Sequence, residues 1–563
     1  MHDFNRRKLL FALSAMALPL PGCATTVAPL CPGDSVVSDL RAPLTIDTHA
    51  HIFNGSDLQI GAFLTQVVVA DGEDELSGFV KVMGSIMQWI AWQKAPGAAD
   101  ERAALSRYRN ALQSCQKSAE PLRTASEPAF EEGYRRGLAQ LRRAAELQHG
   151  TPGGAATLGP TLGSIGIGTA IDALPPTYKE FAGERVAGVG ILSSDPTMRG
   201  YLDFVLHHFN HRHVNAVDYL LTYSKNSPRK IDLLVPSMVD YDYWLARGKK
   251  TATTLGDQVD LMAQISVLLG GRVHGFAPFC PFREAMTVGP SGTDGDSLRL
   301  VKRAVEEQGF LGVKIYPPMG FAPWGNEPID HTWTNKDRLL PAARQAGFGK
   351  RLDKALKGLY DWCLLKNVPI MAHANASNSP YADFKELASS SYWDQALKAF
   401  PGLRVSFGHF GDTDFDDHAG DRSVPYLDLM TQGDTTRGRN VFADTGFFAG
   451  VLGRPVESAA VLDALYRKYP LLAQRLMYGT DWTMILPQKK VERYLGEFIG
   501  VIDRVDASRL AAAPASASLA GPFFGSNAVE YLGLSKGRPS RVRLDTFYEK
   551  NKVSTPDWLR KIG

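Results

Sequence analysis

The chain has 563 residues, with 62 Lys+Arg against 59 Asp+Glu and a formal net charge of +3. Both signs are spread along the length, which excludes a polyanion-driven nucleic-acid binder. Hydrophobic residues make up 44%, including 27 Phe, 19 Tyr and 9 Trp, so the chain is globular rather than largely disordered, and 5 Cys are too few for a disulfide scaffold.

Residues 1–22 read as an export signal. Arg6, Arg7 and Lys8 form a basic region, an apolar run follows from Leu9 to Leu20, and the small residue Gly22 precedes Cys23. The run is shorter than the roughly 20 residues a membrane-spanning helix needs. Cys23 resembles the lipid-modified first residue of a mature bacterial lipoprotein, and Asn5-Arg6-Arg7-Lys8-Leu9-Leu10 is similar to a twin-arginine signal. The expected location is the cell envelope, with an N-terminal lipid anchor as the only membrane contact. The alternative is an ordinary cleaved signal with an incidental Cys. Residues 23–43 read as a linker. Cys31, Cys115, Cys280 and Cys363 show no motif, although an oxidising compartment would permit pairing.

From Leu44 onward short apolar runs recur at 44–51, 231–240, 272–279, 310–318, 368–375, 403–412, 440–448 and 475–482. They alternate with helix-like stretches such as DSLRLVKRAVEEQG and RLDKALKGLYDWCLLKN, a pattern of buried parallel strands with crossover helices. Eight such units predict an α/β fold, a (β/α)8 TIM barrel, over residues 44–540, with 541–563 left as a C-terminal tail. One interval breaks the rhythm. About 180 residues separate the first two runs, so a helical insertion is expected at about 55–228. It leaves its strand at the C-terminal end, where a lid or cap would sit. The GSIGIG within it lacks the strand and the Lys-Ser/Thr of a phosphate loop.

The chemistry concentrates at the strand tips. In Asp47-Thr48-His49-Ala50-His51, the two histidines are two apart on a strand and share a face, a spacing that can hold one divalent metal. His373 closes VPIMAH, His409 closes VSFGH, Asp481 closes LMYGTD, and Lys314 lies in GVKIY. Barrel strands present their C-terminal ends to one rim, so these residues should meet despite their separation.

DTHAH, GVKIYPP, MAHAN, FGHFG, YGTDW and the C-terminal SNAVEYLGL together resemble the amidohydrolase superfamily, in its amidohydrolase-related branch that includes aminocarboxymuconate semialdehyde decarboxylase. The resemblance covers roughly residues 44–534; the long insertion and the exported N-terminus depart from it. It implies that His49, His51, His373 and Asp481 ligate Zn²⁺ or another divalent transition metal such as Mn²⁺, with Asp481 also accepting a proton from water. His409 would stabilise an oxyanion in a one-metal site or ligate the second ion in a two-metal site. Lys314 would be carboxylated and bridge two ions, or stay uncarboxylated and pair with Asp481 or a substrate carboxylate.

Other residues carry weaker signals. His207 and His211 are four apart in a histidine cluster with His208 and His213, a spacing that can chelate metal on a helix, but no acid accompanies them and a lid contact is the plainer reading. Asp240, Arg283, Tyr316, Trp324 and Asp444 follow strand ends and are candidate substrate contacts, Arg283 as a two-pronged donor to a carboxylate. The expected activity is metal-dependent hydrolysis of a C–N or C–O bond in a small-molecule amide, lactone or ester. Non-oxidative decarboxylation on the same site is the alternative, and a non-catalytic surface lipoprotein the third reading.

Overall fold

The computed structural model describes residues 40–59, 62, 92, 95–114, 207–225, 227–289, 292–329, 340–375, 379–411, 423–431, 438–513 and 517–562. The export signal, the twin-arginine stretch, Cys23, Cys31, Cys115 and the Gly-rich part of the insertion lie outside the described residues. Among the described residues no helix is long and apolar enough to cross a membrane, and Cys280 and Cys363 are buried free thiols.

Every predicted strand forms. They are β1 (Ile46–Ala50), β2 (Leu233–Pro236), β3 (Phe276–Pro278), β4 (Gly312–Ile315), β5 (Ile370–Ala372), β6 (Val405–Phe407), β7 (Val441–Asp444) and β8 (Leu476–Met477). All their residues are buried, which is why they read as continuous apolar runs rather than as alternations. β3 to β8 pair in chain order as one parallel sheet, and β1 pairs with β2. Parallel bridges link the seams: Leu234 to Val273, Ser237 to Phe276, and Ala50 to Trp482 just past β8. Helices Arg212–Lys225, Leu255–Leu268, Asp296–Glu307, Phe348–Lys366, Ser390–Ala399, Ser423–Thr431, Pro455–Lys468 and Tyr494–Ala512 follow the strands in turn. The architecture is an α/β barrel of the (β/α)8 type.

Local sequence explains the helix ends. In Asp296–Glu307, Leu298, Val301, Ala304 and Val305 form the buried stripe expected at this period. Pro455 starts its helix where a missing N–H costs nothing. Asn367 ends Phe348–Lys366 in the left-handed region, and its N–H reaches the carbonyls of Cys363 and Leu364.

Two sequence boundaries need correction. Helix Arg212–Lys225 buries Ala216, Val217, Tyr219, Leu220 and Tyr223 in the main core, so it is the crossover helix of the first unit rather than part of the insertion. Residues 541–563 are no tail either. Leu544, Phe547, Tyr548, Trp558 and Leu559 pack with Ile46, Phe276, Met371, Phe442 and Met477 and fill the N-terminal end of the barrel. Polar ties fix this plug: Trp558 Nε1 donates to the Gly271 carbonyl at 2.9 Å, and Lys561 reaches Asp232 at 2.9 Å.

The most buried tie between the described parts of the insertion and the barrel is an arginine, beside others such as the ion pair of Arg102 with Asp257 and the hydrogen bond of Gln59 to Asp242. The Arg212 guanidinium, 1% exposed, lies between the buried carboxylates of Asp57 and Glu101, and its Nε donates to Asp57 Oδ2 at 2.9 Å. Removing one partner of such a group leaves an uncompensated buried charge.

Candidate metal centre

The first strand is irregular where the chemistry begins. Ile46 and Asp47 pair with Leu233 and Leu234, whereas Ala50 pairs with Pro236, so β1 carries one residue more than β2 over that stretch. Such a bulge breaks strict alternation. Ile46 stays in the lower core, Asp47 turns to the Tyr219 hydroxyl, and His49 enters a cluster of imidazoles. His51 still joins it, with ring centroids 5.6 Å apart. At the other tips, left-handed backbone does the aiming: His409 and Asp481 both have φ 57.

Glycines let the backbone approach. A Cβ on Gly446 would lie 2.3 Å from His49 Nδ1, and one on Gly479 would lie 2.9 Å from His49 Cβ.

Each inner imidazole is held from outside by one nitrogen. His49 Nδ1 faces Asp444 Oδ1 at 2.7 Å, His51 Nδ1 the Ser237 carbonyl at 2.8 Å, and His409 Nδ1 the Gly446 carbonyl at 3.0 Å. Carbonyls and an ionised carboxylate only accept, so those nitrogens carry the protons and the Nε2 lone pairs point inward. Asp481 Oδ1 lies 3.4 Å from His49 Nε2 and 3.1 Å from His51 Nε2. His49 Nε2 and Asp481 Oδ1 are both buried without a hydrogen-bond donor. A proton on His51 Nε2 would require the imidazolium, which burial disfavours by lowering its pKa. Acceptors facing acceptors in a dry site call for a cation, and the nitrogen-rich set with one carboxylate fits a divalent transition metal. Among the described residues, His49, His409 and Asp481 are the group whose ligand atoms lie within 4.8 Å of one another.

Electrostatics agree with this assignment. Burial would raise Asp481, but His49, His51 and His409 outweigh it and hold the carboxyl at about 2. Burial, then the neighbouring His49, pulls His409 down to about 4, and burial with His409 pushes His373 well below the ordinary value. Burial lowers Lys314 to about 8 against the attraction of Asp444 and Asp481. Burial also lifts Asp47 to about 6, against hydrogen bonds from Thr480 and Tyr219.

The strand-tip residues converge, with one rearrangement. His373 was expected beside His49 and His51; instead the left-handed turn after β6 swings His409 into the compact group, and His373 lies behind it, Nδ1 3.1 Å from His409 Nε2. Tyr316 stacks on the His373 ring at 4.1 Å. Lys314 Nζ meets Met371 Sδ at 2.6 Å. Lys314 and Tyr316 also line a small cavity with Asp240, Trp244, Cys280 and Phe321.

Three weaker candidates take other roles. Arg283 is turned to carboxylates of its own chain: its Nε and Nη2 grip Asp240 at 2.6 and 2.9 Å, and Nη2 also reaches Asp242 at 2.6 Å. Trp324, past the turn that follows β4, packs edge-on against Phe400 at 4.8 Å. His207 and His211 do not share a helix face, because a turn at His207–Asn210 separates them and the helix begins at Arg212. His208 stacks on Phe53 and His207 meets Trp482 edge-on.

Some functional groups escaped the sequence. Asp444 was expected as a substrate contact past a strand end; it is the last residue of β7 and orients His49 instead, a role the sequence did not show. The carbonyls of Ser237 and Gly446 have no side-chain signature at all. Asp47 had a signal, its place two residues before His49, but that position gave no indication of its four donors: His49 N, Thr480 N, Thr480 Oγ1 and Tyr219 OH.

The amidohydrolase family model matches residues 248–533. No curated protein matches the sequence. Three solved structures are similar. Manganese-bound 5-carboxyvanillate decarboxylase from Novosphingobium aromaticivorans is 15% identical over 65% of this chain and 94% of its own, TM-score 0.31. 4-Oxalomesaconate hydratase from Rhodopseudomonas palustris is 13% identical over 68% and 96%, TM-score 0.34. An uncharacterized TIM-barrel protein from Bordetella bronchiseptica is 12% identical over 63% and 91%, TM-score 0.36.

Proposed function

The chain belongs to the amidohydrolase family, and on that premise we propose that it is a metal-dependent hydrolase cleaving a C–N or C–O bond of a small-molecule amide, lactone or ester. The observation that carries the reading is the buried pair of undonated acceptors, His49 Nε2 and Asp481 Oδ1, 3.4 Å apart among inward-facing imidazoles. His49, His51, His409 and Asp481 would hold Zn²⁺ or Mn²⁺, with His373 behind them.

A divalent cation supplies, when bound, Lewis-acid polarisation and a lower pKa for water. Asp481, ionised throughout the physiological range, takes a proton from the attacking water on a carboxylate oxygen and returns it to the leaving nitrogen or oxygen. Asp444, Ser237 and Gly446 keep the imidazole tautomers and ring planes fixed while that proton moves.

Decarboxylation is the second reading. Its sequence support was a basic anchor for a substrate carboxylate, and the engagement of Arg283 by Asp240 and Asp242 favours hydrolysis instead. Metal-loaded protein should hydrolyse members of a panel of amides, lactones and esters and release no CO₂ from aromatic acids. CO₂ release without hydrolysis would put the lyase in its place. A folded preparation that cannot take up a transition metal would sink both readings and leave the non-catalytic lipoprotein. The proposal extends to the cell envelope through residues 1–22 and Cys23: Cys23→Ala should move the protein from the membrane fraction to the soluble one.

A further inference from the structure

The two segments that would hold the metal come from opposite ends of the chain, and one carboxylate joins them. Asp47 Oδ1 accepts from the backbone N–H of His49 at 3.0 Å and of Thr480 at 3.2 Å, and Oδ2 accepts from Thr480 Oγ1 at 2.6 Å. Thr480 immediately precedes Asp481, and the N–H groups of both donate to the His49 carbonyl. The remaining donor to Asp47 comes from outside the strands: it is the hydroxyl of Tyr219, fully buried on helix Arg212–Lys225. The Tyr219 ring also meets Trp482, the residue after Asp481, edge-on at 5.4 Å. One side chain on the first crossover helix therefore touches both metal-bearing segments, through its hydroxyl on the β1 side and its ring on the β8 side.

Resting on the metal-dependent reading above, we propose that Tyr219 is a positioning residue for the metal centre, acting through Asp47 to set the spacing between His49 and Asp481. A hydrogen-bond donor withdrawn from Asp47 leaves the carboxylate free to turn, and the His49 and Thr480 backbone groups it holds follow. Groups bonded directly to a metal ligand typically change metal affinity 10- to 100-fold when lost; Tyr219 acts one contact further out, through Asp47, so its effect belongs at the low end of that range. The position also links the barrel's first helix, and with it the insertion ending at Arg212, to the geometry of the site.

A matched variant on the same helix separates positioning from packing. Tyr223 lies one helical turn away in the same aromatic cluster, with its ring 5.9 Å from Trp482, and its hydroxyl donates to the Val491 carbonyl at 3.0 Å without touching Asp47. Tyr219→Phe and Tyr223→Phe each remove one buried hydroxyl and keep the ring. The measurements are Zn²⁺ and Mn²⁺ affinity by competition with a chromogenic chelator, and thermal melts of the metal-free proteins. The proposal expects Tyr219→Phe to weaken metal binding about 10-fold, Tyr223→Phe to bind as the wild type does, and the two melts to fall together. Equal metal affinity in the two variants would overturn it, as would a Tyr219→Phe protein that binds metal like the wild type. Wild-type protein that binds no metal overturns the metal-dependent reading itself, and with it this inference.

Discussion

The two ends of the barrel are made from the same strands and opposite materials. At the N-terminal ends, Ile46, Phe276, Met371, Phe442 and Met477 close onto Leu544, Phe547 and Trp558, an apolar plug drawn from the last residues of the chain. At the C-terminal ends, strands of the same barrel lead into His49, His51, His373, His409 and Asp481, where the acceptors His49 Nε2 and Asp481 Oδ1 face each other without donors. Each such buried orphan costs about 1–3 kcal/mol, a large fraction of a usual margin of about 5–15 kcal/mol. One end thus carries stability that the other end gives up for a site, and the two should respond differently to the same kind of insult.

The largest contrast comes from single substitutions at each end. Asp481→Asn keeps the shape and removes the proton acceptor, so kcat should fall about 10²–10⁴-fold while circular dichroism stays that of the wild type. Retained turnover would show that the polar end is not the catalytic one. Trp558→Ala, at the other end, removes a fully buried ring and should cost about 3–5 kcal/mol in denaturant unfolding. Metal affinity of the folded fraction should not change. If metal binding fell along with stability, the ends would be coupled and the division of labour would fail.

What the sequence made legible follows from the same division. Buried parallel strands must be apolar throughout, so all of β1 to β8 stood out as continuous runs, and titratable residues at their tips stood out against them. The tips also placed the candidate site at the C-terminal ends of the strands. What stayed hidden depends on contacts between distant segments or on backbone atoms. Asp444 reads as a substrate contact at a strand end until His49, 395 residues away, is placed 2.7 Å from it. The Ser237 and Gly446 carbonyls carry no residue-type signal. Arg283 reads as a substrate anchor because Asp240 and Asp242 lie some forty positions upstream. The bulge in β1 hid the divergence of Asp47 from His49, since strict alternation puts them on one face. The plug went unread because Leu544, Phe547, Tyr548 and Trp558 are interspersed with charges typical of a solvated tail.

Acid should erode both ends of the metal-free protein, in a defined window. His409 falls from 6.5 to about 4 on folding, and so does His274 at the plug end, in each case mainly through burial. Between those values the unfolded chain binds the proton that the folded chain refuses, so each imidazole's contribution to stability is full above 6.5 and is lost as pH falls toward 4. Each shift of this size corresponds to about 3 kcal/mol. The lowered values of His51 and His373 act in the same direction. Asp481 works in a lower window: its depressed value stabilises above 3.8, and that contribution is lost as pH falls through about 2. Unfolding curves of the metal-free protein from pH 7 to 4 check the sign. Asp47 and Glu101, raised by burial to about 6 and about 7, act the other way over this range. The imidazole contribution is therefore read from the difference against His274→Gln, whose stability should decline less toward pH 4; identical profiles would mean that imidazole is not held neutral. Saturating Zn²⁺ should raise stability at pH 7 and lose its effect on the way down, because the same nitrogens must be unprotonated to bind it.

The smallest effect gives the sharpest version of the comparison, because each end has a buried phenol holding a key group. At the plug, His274 Nδ1 faces the Gly309 carbonyl at 2.8 Å, which places its proton there and makes Nε2 an acceptor for the Tyr548 hydroxyl at 2.7 Å. Tyr548→Phe leaves that nitrogen without a donor and keeps the ring in the plug, at a cost of about 1–2 kcal/mol. At the site, Tyr219→Phe removes a hydroxyl from Asp47 in the same way. The chemical change is identical, so any difference in outcome belongs to position: Tyr548→Phe should lower the unfolding midpoint and leave metal affinity alone, whereas Tyr219→Phe should move metal affinity. A Tyr548→Phe variant that loses metal as Tyr219→Phe does would show that the centre responds to general loosening of the barrel rather than to the contact between Tyr219 and Asp47.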